Sequence, residues 1–87
     1  MTEVSYTEKA IDQLDRLETQ TADRILSKVD DAAEWPDHHL TSLRGFPYYK
    51  LRIGDYRAII SWDRNDETLR VEAVGHRSTI YDRHLPP

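Results

Sequence analysis

Three basic residues lie within one short stretch of the sequence, YKLRIGDYRAII, residues 49–60. Lys50 and Arg52 precede a Gly54–Asp55 pair, and Arg57 follows it. Such side chains can hold an anion, and the planar fork of arginine can bind two phosphate oxygens at once. The pattern therefore predicts binding or electrostatic stabilisation of a phosphate, provided that the fold brings the three cations to one surface.

The Gly54–Asp55 pair predicts a two-residue hairpin turn, because glycine tolerates a positive φ at the first central position. A turn of this length fixes the register and sets Arg52 opposite Arg57. Opposed residues share a face of the sheet, so both arginines and Lys50 lie on one face. The other face is predicted to be a core face, formed by Leu51, Ile53, Tyr56, Ala58, Ile60 and Trp62.

The opposition of Arg52 and Arg57 costs up to about 1 kcal/mol in the free protein. An anion bound between them would turn this repulsion into attraction, so the pair suits a phosphate site. The alternative is that both are surface side chains that extend into water with their stems on the sheet. If the register is right, replacing either arginine by alanine is expected to leave the stability of the free domain level or to raise it.

The segment VGHRSTIY, residues 74–81, ends the last predicted strand with further polar side chains. Strict alternation puts His76 on the cationic side of the sheet and Arg77 on the other. Gly75 leaves this open, since glycine often marks a bulge that rotates the side chains after it. A histidine near the cations could carry a proton near neutral pH, whereas alone it would be an exposed strand-end residue. The same alternation adds three residues to the core side: Leu69, Val71 and Ala73.

The first half of the chain is predicted to supply helices that pack on the core face. A short strand is expected over residues 2–6, and apolar residues then recur at helical spacing in two segments. The first helix could be capped by Ser5, which forms a capping-box pattern with Glu8, or by Thr7.

The second helix could be capped by Thr19 or Thr21. Trp35–Pro36 ends it, because the residue before proline is pushed out of the helical region. Residues 37–47 are predicted to be a loop, and the hydrophobic period then changes from 3.6 to 2. Strands are expected near 48–53, 56–62 and 69–75. The whole chain, 1–87, is therefore predicted to be a single α+β domain of order β-α-α-β-β-β. Its N-terminal strand and two-helix hairpin would pack on a small, mostly antiparallel sheet.

Composition excludes several kinds of site. The chain has no cysteine, which removes disulfides and Cys-type zinc sites. His38 and His39 are interpreted as loop residues, since adjacent side chains point apart; neither a metal nor another cofactor is expected. No apolar run approaches a membrane span, and the N-terminus lacks the features of a signal peptide, so a cytoplasmic protein without membrane contact is expected.

Charge is unevenly distributed in this chain, whose net charge is −4. Residues 1–42 carry ten Asp and Glu against four Lys and Arg, whereas residues 43–87 carry six against eight. One solvated face and one face that meets anions are therefore expected. Arginine outnumbers lysine nine to three, and this Lys-poor, Asp-rich balance is typical of archaeal proteins adapted to high salt.

Three motifs carry a resemblance to a known family: LRG at 43–45, then YKLRIGDYRAII, then VGHRSTIY. Their order resembles the RelE branch of the RelE/ParE toxin superfamily of type II toxin–antitoxin systems, and the predicted order of elements is similar. The resemblance implies a toxin that cleaves messenger RNA in the ribosomal A site, without a metal, through attack by the RNA 2′-hydroxyl. It also implies a cognate antitoxin as partner.

The resemblance assigns roles to single positions. Lys50 and Arg52 match basic positions around the scissile phosphate, and Arg57 matches an arginine that stabilises charge on it. Arg77 matches an acid or phosphate clamp, and Tyr81 a tyrosine that stacks on or orients the substrate. Weaker RNA contacts are implied for Arg44 and His76.

The sequence also departs from the family. Tyr48 stands where members have a lysine, and His76 stands where a lysine can occur. Two alternatives therefore stay open: a ParE-like inhibitor of DNA gyrase, and a binding module that keeps the fold without catalysis. The cationic set favours the nuclease.

Overall fold

The structure, a computed structural model, describes residues 2–81. The ends of the predicted domain, at 1 and 87, lie outside this part. Its strands and helices are β1 (Glu3–Tyr6), α1 (Glu8–Asp15), α2 (Thr19–Glu34), α3 (Pro36–His39), β2 (Leu40–Ser42), β3 (Tyr49–Ile53), β4 (Tyr56–Asp63) and β5 (Thr68–His76). Over the described residues the strands form one sheet in the order β1-β5-β4-β3-β2. Only β1 runs parallel to its neighbour, which confirms the predicted α+β fold with a mostly antiparallel sheet.

Helices α1 and α2 cover one face of the sheet and bury its apolar side chains. Ala10 of α1 and Ile25 and Val29 of α2 are fully buried against this face. The predicted core face of the β3–β4 hairpin is confirmed, since four of its members are buried and Tyr56 and Trp62 pack against them partly exposed. Each buried leucine or isoleucine contributes roughly 1.5–3 kcal/mol to folding. The sheet face away from the helices, called the open face below, carries the cations.

Helix α1 begins at Thr7, the second of the two predicted caps. The Thr7 hydroxyl accepts a hydrogen bond from the Ala10 amide at 3.1 Å and donates to the Glu72 carbonyl at 2.9 Å. Ser5 is a residue of β1, so the predicted capping box does not form. Thr7 is favoured as the cap because β5 extends beyond the end of β1. At that point the backbone carbonyls of β5 need a hydrogen-bond donor, and Thr7 supplies one. The predicted cap of α2 was wrong, since its N-cap is Glu18 and makes no side-chain capping bond.

Residues 37–47 are not the simple loop that was predicted. Pro36 ends α2 and also starts α3, where its missing N–H costs nothing. Three residues then form the edge strand β2, which pairs Thr41 with Lys50. A tight turn follows, with Gly45 at a φ of 85°. A strand of three residues is too short to show a period of two, which is why the sequence did not reveal it.

A β-bulge in β5 changes the face on which the last side chains lie. Ile60 pairs with Val71 and Ile59 with Ala73, so Glu72 is the extra residue. The Glu72 carboxylate accepts hydrogen bonds from the Ser61 hydroxyl at 2.6 Å and Arg70 Nε at 2.8 Å. Two consecutive side chains therefore lie on the open face, and every later one is inverted relative to strict alternation.

The bulge corrects two predictions. Ala73 is buried on the open face beside Ile59, and Val74 takes its place in the core under the helices. His76 pairs with Tyr56 and so lies on the helix side, whereas Gly75 is opposite Arg57. The sequence pattern indicated a possible bulge at Gly75, whereas the bulge lies at Glu72, before that glycine.

Candidate functional site

The β3–β4 hairpin has the predicted register. Arg52 pairs with Arg57 and Lys50 with Ile59, which places the three basic residues on the open face. Gly54 has a φ of 57°, and Asp55 has no positive φ, as in a type II′ turn. Directly opposed residues lie with their Cα atoms roughly 4.5–5.5 Å apart, so the two guanidinium groups leave the sheet from adjacent points.

Arg57 is held over the turn by two hydrogen bonds. Its Nη1 donates to the Gly54 carbonyl at 2.7 Å and to the Tyr56 carbonyl at 2.8 Å. A guanidinium has five N–H groups, so those on Nε and Nη2 remain for a ligand. Replacing Arg57 by alanine would remove the electrostatic repulsion of the pair, but it would also remove these two hydrogen bonds. The sequence-based expectation of unchanged or raised stability therefore now applies to Arg52 rather than to Arg57.

Lys50 and Arg52 are available to an anion. Within residues 2–81 neither forms an ion pair with a carboxylate. Lys50 is half-buried between Thr41 of β2 and Ile59 of β4, and Arg52 is exposed. A cation that lacks a carboxylate partner and lies beside another cation is best stabilised by a bound anion.

Arg77 extends the cationic surface at the end of β5. Its amide donates to the Asp55 carbonyl at 2.8 Å, which continues the β4–β5 ladder past His76. Alternation after His76 directs the Arg77 side chain to the open face, the reverse of the sequence-based placement. Its Nε lies 3.8 Å from Asp55 Oδ1, and both side chains are largely exposed, at 61% and 71%. An exposed pair of this kind contributes little, so a phosphate can replace Asp55.

A small second hydrophobic cluster supports the open face. Ile59, Ala73 and Ile80 are buried in it, and Tyr48 and Tyr81 pack against them. The segment after β5 approaches closely because Gly75 has no side chain: a Cβ there would lie 3.3 Å from Ile80 Cδ1. Ile80 thereby fixes the neighbouring Tyr81 against the sheet, a role that sequence reasoning missed. Tyr48 fills this cluster, which accounts for an aromatic residue at a position where family members carry lysine.

The remaining two predicted residues lie apart from this set. His76 faces the helix side, where its ring meets Tyr56 edge-on at 5.6 Å and its Nδ1 contacts Ser78. It therefore does not reach the phosphate position between the arginines. Arg44 is exposed in the turn that joins β2 to β3, at the end of β3 remote from Gly54. The structure brings together Lys50, Arg52, Arg57, Arg77 and Tyr81.

The part of the chain that spans residues 2–81 contains no group of three or more histidine or acidic side chains arranged to hold a metal ion. None of its helices combines the length and the apolar character needed to cross a membrane.

Comparison with known proteins gives a family and a fold. The family model for the ParE toxin of the type II toxin–antitoxin system parDE matches residues 4–81. A search of curated protein sequences gives no significant match. Among solved structures, the RelBE2 toxin–antitoxin complex of Mycobacterium tuberculosis matches with a TM-score of 0.82 and 23% identity, over 87% of this chain and 98% of that chain.

Two further structures match in the same way. The archaeal RelE–RelB complex of Pyrococcus horikoshii gives a TM-score of 0.75 at 22% identity, over 90% of this chain and 97% of that chain. The isolated RelE toxin of E. coli gives 0.74 at 22% identity, over 94% of this chain and 93% of that chain. At these identities the structural likeness concerns the fold.

Proposed function

From the basic residues of the open face we propose that this chain, which belongs to the ParE toxin family of type II toxin–antitoxin systems, is a ribosome-dependent endoribonuclease that cleaves messenger RNA. The chain is a toxin of such a system, with the fold of the RelE-type toxins of the same superfamily. The nuclease activity is supported by one observation above all. Lys50, Arg52 and Arg57 share the open face without a carboxylate partner in the described residues. Beside them lie Arg77, whose exposed ion pair with Asp55 a phosphate can replace, and Tyr81, which packs against the second hydrophobic cluster.

The chemistry follows from what RNA itself provides. The 2′-hydroxyl is the nucleophile, so the protein must orient it, accept its proton, stabilise charge on the phosphate and protonate the leaving oxygen. Arg52 and Arg57 supply positive charge where it develops, which is the largest single contribution in most such sites. The products are a 2′,3′-cyclic phosphate and a 5′-hydroxyl end. No metal is required when cationic side chains carry this charge.

The remaining steps fall to the other residues of the face. Lys50 lies two residues before Arg52, at the next position on the same face, and is the candidate base. Arg77 can clamp the phosphate or protonate the leaving oxygen once it leaves Asp55. Tyr81 stacks on or orients a base of the substrate. Arg44 contacts the RNA backbone at a point remote from the cleaved phosphate. His76 has no part in these steps, because the bulge puts it on the opposite side of the sheet.

The partners are proposed on two grounds. The matching RelE toxins of M. tuberculosis and P. horikoshii were solved as complexes with their antitoxins, and we expect a cognate antitoxin for this chain as well. The net charge of −4 suits a protein that depends on the ribosome to present the RNA rather than gripping free RNA. Both partners imply action in the cytoplasm.

The decisive experiment compares cleavage of messenger RNA on programmed ribosomes by the parent and Arg57→Ala. Loss of one donor to the developing charge should reduce the rate by about a hundredfold or more. Arg64→Ala is the matched control, since Arg64 lies over the Trp62 ring in the β4–β5 loop, away from the open face. Mapping should find cyclic-phosphate ends, and naked RNA should stay intact. Equal rates for Arg57→Ala and the parent would refute the assignment.

One alternative function has specific support, because the matching family model is that of ParE toxins. In that case the protein inhibits DNA gyrase and cleaves no RNA. A supercoiling assay with the purified chain separates the two: inhibition without ribosomal cleavage would replace the nuclease proposal. Neither activity, together with tight antitoxin binding, would identify a binding module that has kept the fold.

A further inference from the structure

A second cationic site lies on the helix side of the sheet, around the end of β5. It is a cavity of about 260 Å³ whose walls include Arg16, Tyr56, His76 and Thr79. Among residues 2–81, no carboxylate lines it. It is distinct from the open face, although Gly75 and Ile80 form part of the wall of the cavity and also support the open face.

The backbone fixes which ring nitrogen of His76, a residue that lines this cavity, is the donor. The Ser78 amide donates to His76 Nδ1 at 3.1 Å, and the Ser78 hydroxyl lies 2.8 Å from the same atom. Because Nδ1 accepts an N–H, the neutral ring carries its proton on Nε2. His76 Nε2 forms no hydrogen bond to another residue of 2–81, so this N–H can donate to a ligand. The edge-on contact with Tyr56 holds the ring in place.

Arg16 supplies a permanent positive charge. It caps the C-terminal end of α1, is exposed, and has no ion pair within the described part of the chain. The lining residues thus offer three kinds of donor, namely the Arg16 guanidinium, the Nε2–H of His76 and the hydroxyl of Thr79. A set of this kind matches the oxygens of a phosphate, which bind an arginine fork most strongly.

The position of the cavity favours nucleic acid over a free ion. Gly75 borders the cavity and is also the direct partner of Arg57 on β4. Arg77 follows His76 at the same end of the sheet, beside the β3–β4 turn. A single strand of RNA whose scissile phosphate lies at Arg57 would therefore pass over this end of the sheet toward Arg16.

We propose that Arg16, His76 and Thr79 form a second phosphate-binding site, which holds a phosphodiester of the same RNA that flanks the cleaved one. The inference rests on the proposed function, because it assumes RNA on the open face. It gives His76 a binding role in place of proton transfer, and it gives α1 a direct contact with the substrate.

The test is an NMR titration of ¹⁵N-labelled protein at low ionic strength, with a short 2′-O-methyl RNA as the probe. Low ionic strength strengthens the contacts that the protein makes to the phosphates of free RNA, and the missing 2′-hydroxyl prevents attack, so binding is measured without turnover. The amide signals of Ser78 and Thr79 should shift together with those of Arg52 and Arg57. In Arg16→Ala the apparent Kd read at Ser78 and Thr79 should rise by about tenfold, as for a lost charge-assisted hydrogen bond.

Three controls make the result specific. Arg16→Lys, which keeps the charge, should restore part of the affinity, and Lys28→Ala, which removes a cation from the exposed surface of α2, should change nothing. His76→Phe keeps an aromatic ring beside Tyr56 but loses the donor, and should weaken the same signals. Inorganic phosphate alone should shift Ser78 and Thr79 weakly.

Two outcomes would overturn the inference. Shifts at Arg52 and Arg57 without shifts at Ser78 and Thr79 would show that RNA does not enter the cavity. Shifts produced by an oligoglutamate peptide but not by RNA would assign the cavity to an acidic protein segment. Ribosomal cleavage tests the proposed function separately. A chain that cleaves no messenger RNA on ribosomes but still binds the RNA at Arg16 would refute the nuclease proposal and still support the second phosphate-binding site.

Discussion

The opposed arginines of the β3–β4 hairpin give a prediction whose size can be worked out. Two unit charges about 7 Å apart in water repel each other by about 0.6 kcal/mol. Arg57 also donates two hydrogen bonds to carbonyls of the turn, and at an exposed position each contributes about 0.5 kcal/mol. Arg52→Ala should therefore raise the free energy of unfolding by about 0.5 kcal/mol at low salt. Arg57→Ala should lower it by a similar amount, since it loses more than it gains.

The coupling between the two sites isolates the repulsion. In the Arg57→Ala background, Arg52→Ala should no longer stabilise, because the charge that it repelled is gone. The double-mutant cycle cancels the change in strand propensity that each alanine brings. Salt screens charges over about 8 Å at 0.15 M and 3 Å at 1 M, so the coupling should fall by about half and then nearly vanish.

Urea unfolding of the four proteins at low salt, 0.15 M and 1 M, followed by tryptophan fluorescence, measures these terms. Arg70→Ala combined with Arg52→Ala is the matched control. Arg70 lies on the same sheet face but is paired with Glu72, so no coupling is expected. If Arg57→Ala is more stable than the parent at low salt, the hydrogen bonds to the turn contribute nothing. If Arg52 and Arg57 are not coupled, their guanidinium groups do not face each other and the phosphate site loses its physical basis.

Three other changes test how the site is supported. Thr7→Ala should lower the free energy of unfolding by about 1–2 kcal/mol through loss of the α1 cap, and Thr7→Ser should recover most of it. Gly75→Ala should cost about 1 kcal/mol, because its Cβ would lie 3.3 Å from Ile80 Cδ1; in an Ile80→Val background, which lacks that atom, the same change should cost less. Burial, and secondarily Asp30, raises the pKa of Tyr6, so the unfolded chain loses this proton first. Stability should fall as pH rises above about 10, and the fall should be smaller in Tyr6→Phe. Each of the three arguments has a result that would contradict it. These results are an unchanged free energy of unfolding for Thr7→Ala, an unchanged one for Gly75→Ala, and the same loss of stability at alkaline pH for Tyr6→Phe as for the parent.

Local chemistry was enough to predict the hairpin that carries the site. A glycine that accepts a positive φ and a two-residue loop set the register, and the register alone puts Lys50, Arg52 and Arg57 on one face. The apolar period of two predicted β4 and the start of β5, including the core positions of Leu69 and Val71. The end of α2 at Trp35–Pro36 was predictable for the same reason, since proline acts on its immediate neighbour.

Contacts between distant parts of the chain decided the rest. The extra residue in β5 is stabilised by Ser61 and Arg70, which bind the Glu72 carboxylate, and by Thr7, which lies 65 positions away in sequence and binds the Glu72 carbonyl. Ser61 and Thr7 lie outside residues 69–76, so no pattern within that segment reports them, and alternation assigned His76 and Arg77 to the wrong faces. The sequence by itself determined which cations share one face of the hairpin. Only the tertiary structure decided that Arg77 joins them while His76 turns toward α1, because one inserted residue inverts every side chain that follows it on a strand.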